Sequence, residues 1–303
     1  MKKVICVLSA LTMLLAMGGC AGAGDSSSSG SSDSASGSAT GSFDNSKAIT
    51  VVARDAASGT RSAFHELMGI IQTDGDTEKD MLVTGALEFD STDKVITAVE
   101  GDTYGIGYIS LGSVSDRIKT AKVDGVEATA ENVKNGTYSV SRPFLLVTKG
   151  EENDLVKDFI SFINSTQGQA IIEDHSYITV EENAAEYTGS GMSGTIKIAG
   201  STSVQPLMEA FTEEYKKLNP DVSFEIQAQG SSQGIKAATD GSYDIGMSSR
   251  ELKEDEKAAL NEHTIALDGI AVILNKNNPV DDLTSENITA IYTGTKTTWS
   301  EVE

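Results

Sequence analysis

Residues 194–206 read GTIKIAGSTSVQP. The run 195–199 (TIKIA) is apolar and β-branched, the signature of a strand. Gly200, Ser201, Thr202 and Ser203 then interrupt it. From Val204 to Leu218 apolar residues return at helical spacing, and Asn219-Pro220 ends that run. The unit is therefore strand, short polar loop, helix. It recurs at 222–228 (VSFEIQA), where the loop Gly230-Ser231-Ser232-Gln233-Gly234 leads into a short helix at 235–239. It recurs again at 48–53 (AITVVA), where Arg54 and the loop Ala57-Ser58-Gly59-Thr60 lead into a helix over 60–71.

The rest of the chain follows the same rhythm. Helices are predicted at 91–99, at 154–163 with Leu155, Phe159 and Phe162 on one face, and at 254–260. Strands are predicted at 104–111 (YGIGYISL), 143–148 (PFLLVT), 244–247 and 267–274 (LDGIAVIL). Asp124-Gly125, between 118–123 and 126–128, predicts a hairpin. Repeated strand–loop–helix units imply an α/β protein with mostly parallel sheets flanked by helices.

The loops share a chemistry. Each places small hydroxyl residues where a strand hands over to a helix N-terminus, offering backbone N–H groups, O–H donors and the positive end of the dipole. One such loop alone is plain N-capping. Three of them plus Arg54, which suits bidentate contact with an oxyanion, point to an anion site.

Composition narrows the partners. The chain has 303 residues and a net charge of -22, which excludes a nucleic-acid partner and electrostatic adhesion to anionic lipid. A buried anion held by local dipoles and one arginine is compatible with that charge, although long-range steering toward it is unfavourable. The two cysteines, Cys6 and Cys20, both lie in the first twenty residues, so the remainder has no disulfide and no cysteine metal site. Lys2 and Lys3 precede an apolar stretch at 4–17, too short for a membrane span, and Gly18-Gly19 precede Cys20. This segment resembles a bacterial lipoprotein signal, with residues 1–20 as the signal and Cys20 as the lipidated residue. Residues 21–46, nearly all Ser, Gly, Ala and Asp, form a tether with a reach of roughly 25–30 Å.

At GTIKIAGSTSVQP (194–206), QGSSQGIKAATDGSYDIGMSSREL (229–252), RDAASGTRSAF (54–64), YGIGYISLG (104–112) and SRPFLLVTKG (141–150) the chain resembles the phosphate-binding lipoproteins of Pst-type ABC importers. The resemblance covers almost everything from Lys47 to Val302. It implies a two-lobe, type II periplasmic-binding-protein-like fold closing on inorganic phosphate at a hinge cleft. The implied ligands are Arg54, Ser58, Gly59, Thr60, Thr202, Ser203, Ser231 and Ser249, with no catalytic residue, cofactor or metal. The implied partners are phosphate and the permease subunits of an importer. The protein is expected to be a monomer held by its lipid at the outer face of the cell membrane.

Two departures stand out. Some members of that family carry Asp at the position of Ser249, where a carboxylate accepts the proton of hydrogen phosphate and repels sulfate. Ser249 accepts only through hydroxyl lone pairs, which leaves Glu251 as a substitute acceptor or Arg250 as a second cation. Asp244 reads as a structural acid at a strand end, and Arg61, adjacent to the implied ligands, is either a further cation of the site or a solvent-facing helix residue. Secondly, the halves are inverted relative to the family, as in a circular permutant joined through 188–194 (TGSGMSG), a flexible stretch. The implied lobe two is 47–141 plus 274–303, and lobe one is 142–273. The implied hinge crossings are 142–147 and 267–274, and the terminal segments must pair without a covalent link. A fragment made of two adjacent half-copies is the alternative to permutation.

Other function classes remain open from sequence. One is a phosphate-sensing or scaffold lipoprotein without transport; another is a binder of sulfate, arsenate or a further oxyanion. A hydrolase with Ser58 as nucleophile is disfavoured, because no G-x-S-x-G elbow surrounds it and His65, His175 and His263 are scattered.

Overall fold

The computed structural model describes residues 43–74 and 77–302. The lipoprotein signal, Cys20 and most of the tether lie outside the described residues.

In chain order the elements are β1 (Thr50–Arg54), α1 (Gly59–Leu67), β2 (Ile71–Asp74), β3 (Thr77–Asp80), β4 (Leu87–Phe89), α2 (Thr92–Gly101), β5 (Gly105–Ser110), β6 (Lys119–Thr120), β7 (Lys122–Val123) and α3 (Ala130–Lys134). They continue with β8 (Ser141–Thr148), α4 (Asp154–Ile163), α5 (Thr166–Asp174), β9 (Gly194–Gly200), α6 (Gln205–Leu218), β10 (Val222–Ala228), α7 (Ser231–Asp240) and β11 (Ile245–Ser248). The last are α8 (Glu254–Ala259), β12 (Asn261–Leu274), β13 (Asp282–Leu283) and α9 (Ser285–Tyr292).

The main sheet runs β10-β9-β11-β8-β12-β5-β1-β4. Pairing is parallel within β10-β9-β11 and within β5-β1-β4. The antiparallel strands β8 and β12 lie between these two sets. From Asn261 to Gly269, β12 pairs with β8; from Ile270 to Leu274 it pairs with β5. This change of partner divides the sheet into two lobes, each with its own core. Lobe one packs Phe144, Phe159, Phe162, Phe211 and Tyr215, and lobe two packs Phe64, Tyr108, Tyr292 and Trp299. Val140 belongs to the lobe-two core and Phe144 to that of lobe one, while Ile270 and Val272 already belong to lobe two, so β12 changes lobe at 269–270, within the implied crossing but ahead of the implied boundary at 274.

Local chemistry explains the helices that shape the cleft. In α6, Leu207, Met208, Phe211 and Tyr215 fall on one buried face, and the chain exits at Asn219. Burying each such side chain is worth roughly 1.5–3 kcal/mol. The helix expected over 60–71 stops at Leu67, because Gly69 turns the chain at φ +64° and Ile71 opens the β2–β3 hairpin. The hairpin expected around Asp124-Gly125 shrinks to a turn. Both residues take positive φ, but Val123 and Val126 form a single bridge. The flanking strands pair elsewhere, β6 with β12 and β7 with β13.

The stretch 188–193 is irregular and hydrogen-bonded to its surroundings, and Gly194 opens β9. Asn219 Oδ1 accepts from the backbone N–H of Ser190 and of Gly191, at 3.0 and 3.1 Å. Asp158 Oδ2 accepts from the hydroxyls of Tyr187 and Ser190.

The segments near the two ends of the chain also pair. Ile49 N donates to Thr297 O at 2.8 Å and Ser300 N to Asn45 O at 2.7 Å, around an antiparallel bridge between Ala48 and Thr298. Phe43 packs against Tyr104 and Trp299, and the buried Trp299 indole donates to Tyr104 O at 3.1 Å.

Candidate functional site

The seam between the lobes is built from five chain segments. From lobe two come the end of β1 and the first turn of α1. From lobe one come the loop after β9, the first turn of α7 and the end of β11.

Arg54 is the last residue of β1 and is buried. Its guanidinium is anchored by Phe89 O at 3.2 Å, Asp90 O at 3.0 Å and Thr92 Oγ1 at 3.5 Å. Nη2 also donates across the seam to Thr202 Oγ1 at 2.9 Å. Burial pushes the Arg54 pKa down and the Asp55 carboxylate pulls it back up; an arginine stays charged regardless. Ser58 caps α1, its Oγ accepting from Arg61 N at 3.4 Å. Thr60, in the first turn of α1, lies 2.9 Å from Ser203, hydroxyl to hydroxyl across the seam.

Gly59 stands close against the opposite lobe. A Cβ added there would lie 2.2 Å from Ser231 Oγ and 2.9 Å from Ser249 Oγ. A side chain is excluded by this approach of the lobes. In lobe one, Ser231 opens α7 after Gly230, whose φ of +105° favours glycine. Ser249 N donates to Ser231 Oγ at 3.0 Å, and Ser201 Oγ donates to Ser249 Oγ at 2.8 Å. Ser201 also accepts from Ser203 N, which fixes the loop.

The structure therefore brings Arg54, Ser58, Gly59 and Thr60 of one lobe against Thr202, Ser203, Ser231 and Ser249 of the other. What gathers there is one guanidinium, two helix N-termini and a set of hydroxyls, with little exposure to water. Such a set stabilises a compact anion.

Several side chains fall elsewhere. Arg61 faces neither solvent nor seam: it donates to Arg54 O at 3.0 Å and pairs with Asp80 and Glu88. Glu251 is exposed, and Arg250 is engaged by Glu256 at 2.7 and 2.8 Å, so neither takes over from Ser249. Asp244 accepts from Lys197 N at 2.8 Å and is a strand-end acid. Asp55 Oδ1 is buried beside Arg54 with no hydrogen-bond partner. None of the three histidines bonds to Ser58. His65 and His263 bond to carboxylates and His175 to Ile171 O.

Sequence reading passed over the support of Arg54. Tyr108 OH accepts from Arg54 N at 3.2 Å and so turns its proton to His65 Nε2, also at 3.2 Å. The His65 proton then sits on Nδ1 and is donated to Asp80 at 3.0 Å. Ser201 was visible inside the quoted loop. Tyr108 and His65 had no such signal, because nothing in their spacing marks a chain of contacts through the core.

A family model described as a PBP superfamily domain matches residues 34–167 and 185–303. The phosphate-binding protein PstS 2 of Streptococcus agalactiae is 46% identical over 257 residues, 84% of this chain and 87% of that protein. A crystal structure of a phosphate ABC transporter phosphate-binding protein from Streptococcus pneumoniae superposes with a TM-score of 0.70 at 42% identity, covering 85% of this chain and 100% of that one. The phosphate-binding protein PstS of Pseudomonas aeruginosa is 36% identical over 115 residues, only 35% of this chain and 36% of that protein.

Proposed function

The chain belongs to the PstS-type phosphate-binding proteins of the PBP superfamily, and on that premise we propose that it binds inorganic phosphate between its lobes and delivers it to the permease of an ABC importer. The observation that carries this reading is the meeting of Arg54, Gly59 and Thr60 with Thr202, Ser203 and Ser231 across the seam. In this reading Arg54 supplies the full positive charge. The N-termini of α1 and α7 supply oriented N–H groups, and the serine and threonine hydroxyls adapt as donors. Closure removes water and strengthens every contact to the anion. The bound anion favours the closed form because only that form offers ligands from both lobes. No bond is made or broken, so the site works as a carrier and not as an enzyme.

Selection for phosphate over sulfate has a candidate in Asp55. Its buried, unpartnered Oδ1 needs a donor. Hydrogen phosphate carries one, and sulfate at neutral pH does not. This favours phosphate over the sulfate alternative despite the serine at 249. A sensor or scaffold without transport is the remaining second reading, distinguished by failure to associate with permease subunits.

The inverted order of the halves is best read as a circular permutation shared with the streptococcal relatives. A colinear match along most of both chains fits a shared order, and a match limited to about a third fits a different one. The pairing of 43–49 with 297–302 supplies without a bond what a covalent connection supplies elsewhere. Lipidation at Cys20 would hold this carrier, as a monomer, at the outer face of the membrane, with the tether allowing it to reach a permease.

Calorimetric titration of the purified protein with phosphate and with sulfate tests the reading. It predicts one phosphate per chain and at most weak heat from sulfate. A folded protein that takes up no phosphate refutes it. In Asp55→Asn the preference for phosphate over sulfate should shrink; an unchanged preference removes Asp55 from the account.

A further inference from the structure

A buried ion pair lies where β12 changes partner. Asp268 and Arg142 have side chains 0% and 1% exposed. Asp268 is one residue before Gly269, the last residue of β12 paired with β8, and Ile270 already pairs with Ser110 of β5. Arg142 sits opposite Asp268 in the register of β8.

Every polar atom of the pair is used, and the partners come from both lobes. Asp268 Oδ2 accepts from Arg142 Nε and Nη2 at 3.2 and 3.0 Å. Asp268 Oδ1 accepts from Ser110 Oγ at 2.9 Å and Leu111 N at 3.2 Å, both at the end of β5 in lobe two. The remaining arm, Arg142 Nη1, donates to Ser249 O at 3.0 Å in lobe one. Ser249 is itself part of the seam, bonded to Ser201 and Ser231. A continuous chain thus runs from Ser110 in lobe two, through the crossing strands, to a backbone carbonyl under the candidate anion site.

We infer that Arg142 and Asp268 are positioning residues that couple the hinge to Ser249, so that the angle between the lobes and the seat of the anion are set together. This rests on the binding function proposed above. Burying two charges is expensive, and apolar residues of similar volume often match or exceed a buried pair in stability. Burial pushes the Asp268 carboxyl up to about 6, with Arg142 and Ser110 working against that rise. A pair that costs stability is explained by the geometry it imposes. A rotation between the lobes at residues 268–270 displaces Ser110 relative to Asp268, and the rigid fork of Arg142 carries that displacement to Ser249.

The test uses two kinds of variant. In Arg142→Met with Asp268→Leu no charge is left unpaired. In Ser110→Ala only the donor from lobe two is lost. Thermal midpoint, phosphate affinity and hydrogen exchange of residues 245–252 are measured together. The inference expects near-parental midpoints. It also expects phosphate affinity at least about tenfold weaker in the double variant, or 1.4 kcal/mol. Exchange at 245–252 should be faster in Ser110→Ala, although that substitution lies in the other lobe. Arg142→Lys, which keeps the charge but not the fork, should fail to restore the affinity. Folded variants with parental affinity and parental exchange overturn the inference and leave the proposed function standing. If the parent binds no phosphate, the proposed function fails instead, and the exchange response to Ser110→Ala still decides the coupling. Should the double variant not fold, Ser110→Ala and Arg142→Lys decide it.

Discussion

Replacing Gly59 by alanine separates closure from folding. The added Cβ would lie 2.2 Å from Ser231 Oγ, 2.8 Å from Ser231 Cβ and 2.9 Å from Ser249 Oγ, where ordinary contact starts near 3.4 Å. The seam must therefore open by about 1.2 Å to seat one methyl group. The Arg54–Thr202 and Thr60–Ser203 bonds, both 2.9 Å, then stretch to about 4 Å and cease to be hydrogen bonds. One is charge-assisted, worth ~1.5–3 kcal/mol, and the other is neutral, worth ~0.5–1.5 kcal/mol. Their sum of roughly 2–4 kcal/mol weakens phosphate binding between ~30-fold and ~1,000-fold. Meanwhile alanine at the first position of α1 favours the helix by up to ~1 kcal/mol, which offsets part of the lost seam bonds, so the ligand-free thermal midpoint should fall by less than the affinity loss alone would give. Calorimetric titration gives the affinity and scanning calorimetry the midpoint. Adding Ser231→Gly removes the obstructing hydroxyl and should recover part of the affinity. A Gly59→Ala protein that binds phosphate within a few-fold of the parent refutes the claim that the lobes close on Gly59.

Three further outcomes are expected. Arg54→Met removes the buried cation that donates across the seam to Thr202 and should cost phosphate affinity ~30-fold or more, read by titration, with arsenate affected equally. Burial lowers the pKa of His65, so the unfolded chain takes up a proton below about 6.5 that the folded chain refuses. Stability should therefore decline as pH falls through that value, and His65→Gln should flatten the thermal-midpoint profile below about pH 6.5. Finally, a chain joined from 302 to 43 through a short Gly-Ser loop and opened within 188–194 should fold and bind phosphate as the parent does. Failure of that rearranged chain to fold would count against the permutation.

The units that carry the site were legible because strand, hydroxyl loop and helix follow one another locally. GTIKIAGSTSVQP announces β9, its loop and α6 within a few turns of chain, and RDAASGTRSAF does the same for β1 and α1. Their convergence was not legible from local pattern. Thr60 and Ser203 are separated by 143 positions, and only the resemblance between families placed them together. The β2–β3 hairpin escaped because IQTD and TEKD alternate no apolar face; it is held by pairing and by Asp80, which meets His65 and Arg61. The misread flanks of Asp124-Gly125 show the reverse case. Turn chemistry fixed the turn, while the residues before it paired with β12 and β13, far away in sequence, instead of with those after it. Asp268 lies in a strand recognised from sequence and Arg142 just before another, yet a charged residue beside an apolar run gives no hint of the partner it will face.

The most direct measurement is a crystal structure at saturating phosphate. The account predicts one tetrahedral anion at the seam, within hydrogen-bond distance of Arg54 and of hydroxyl or N–H groups at 58–60, 202–203 and 231. Phosphate bound elsewhere, or lobes closed on an empty seam at saturation, would contradict it.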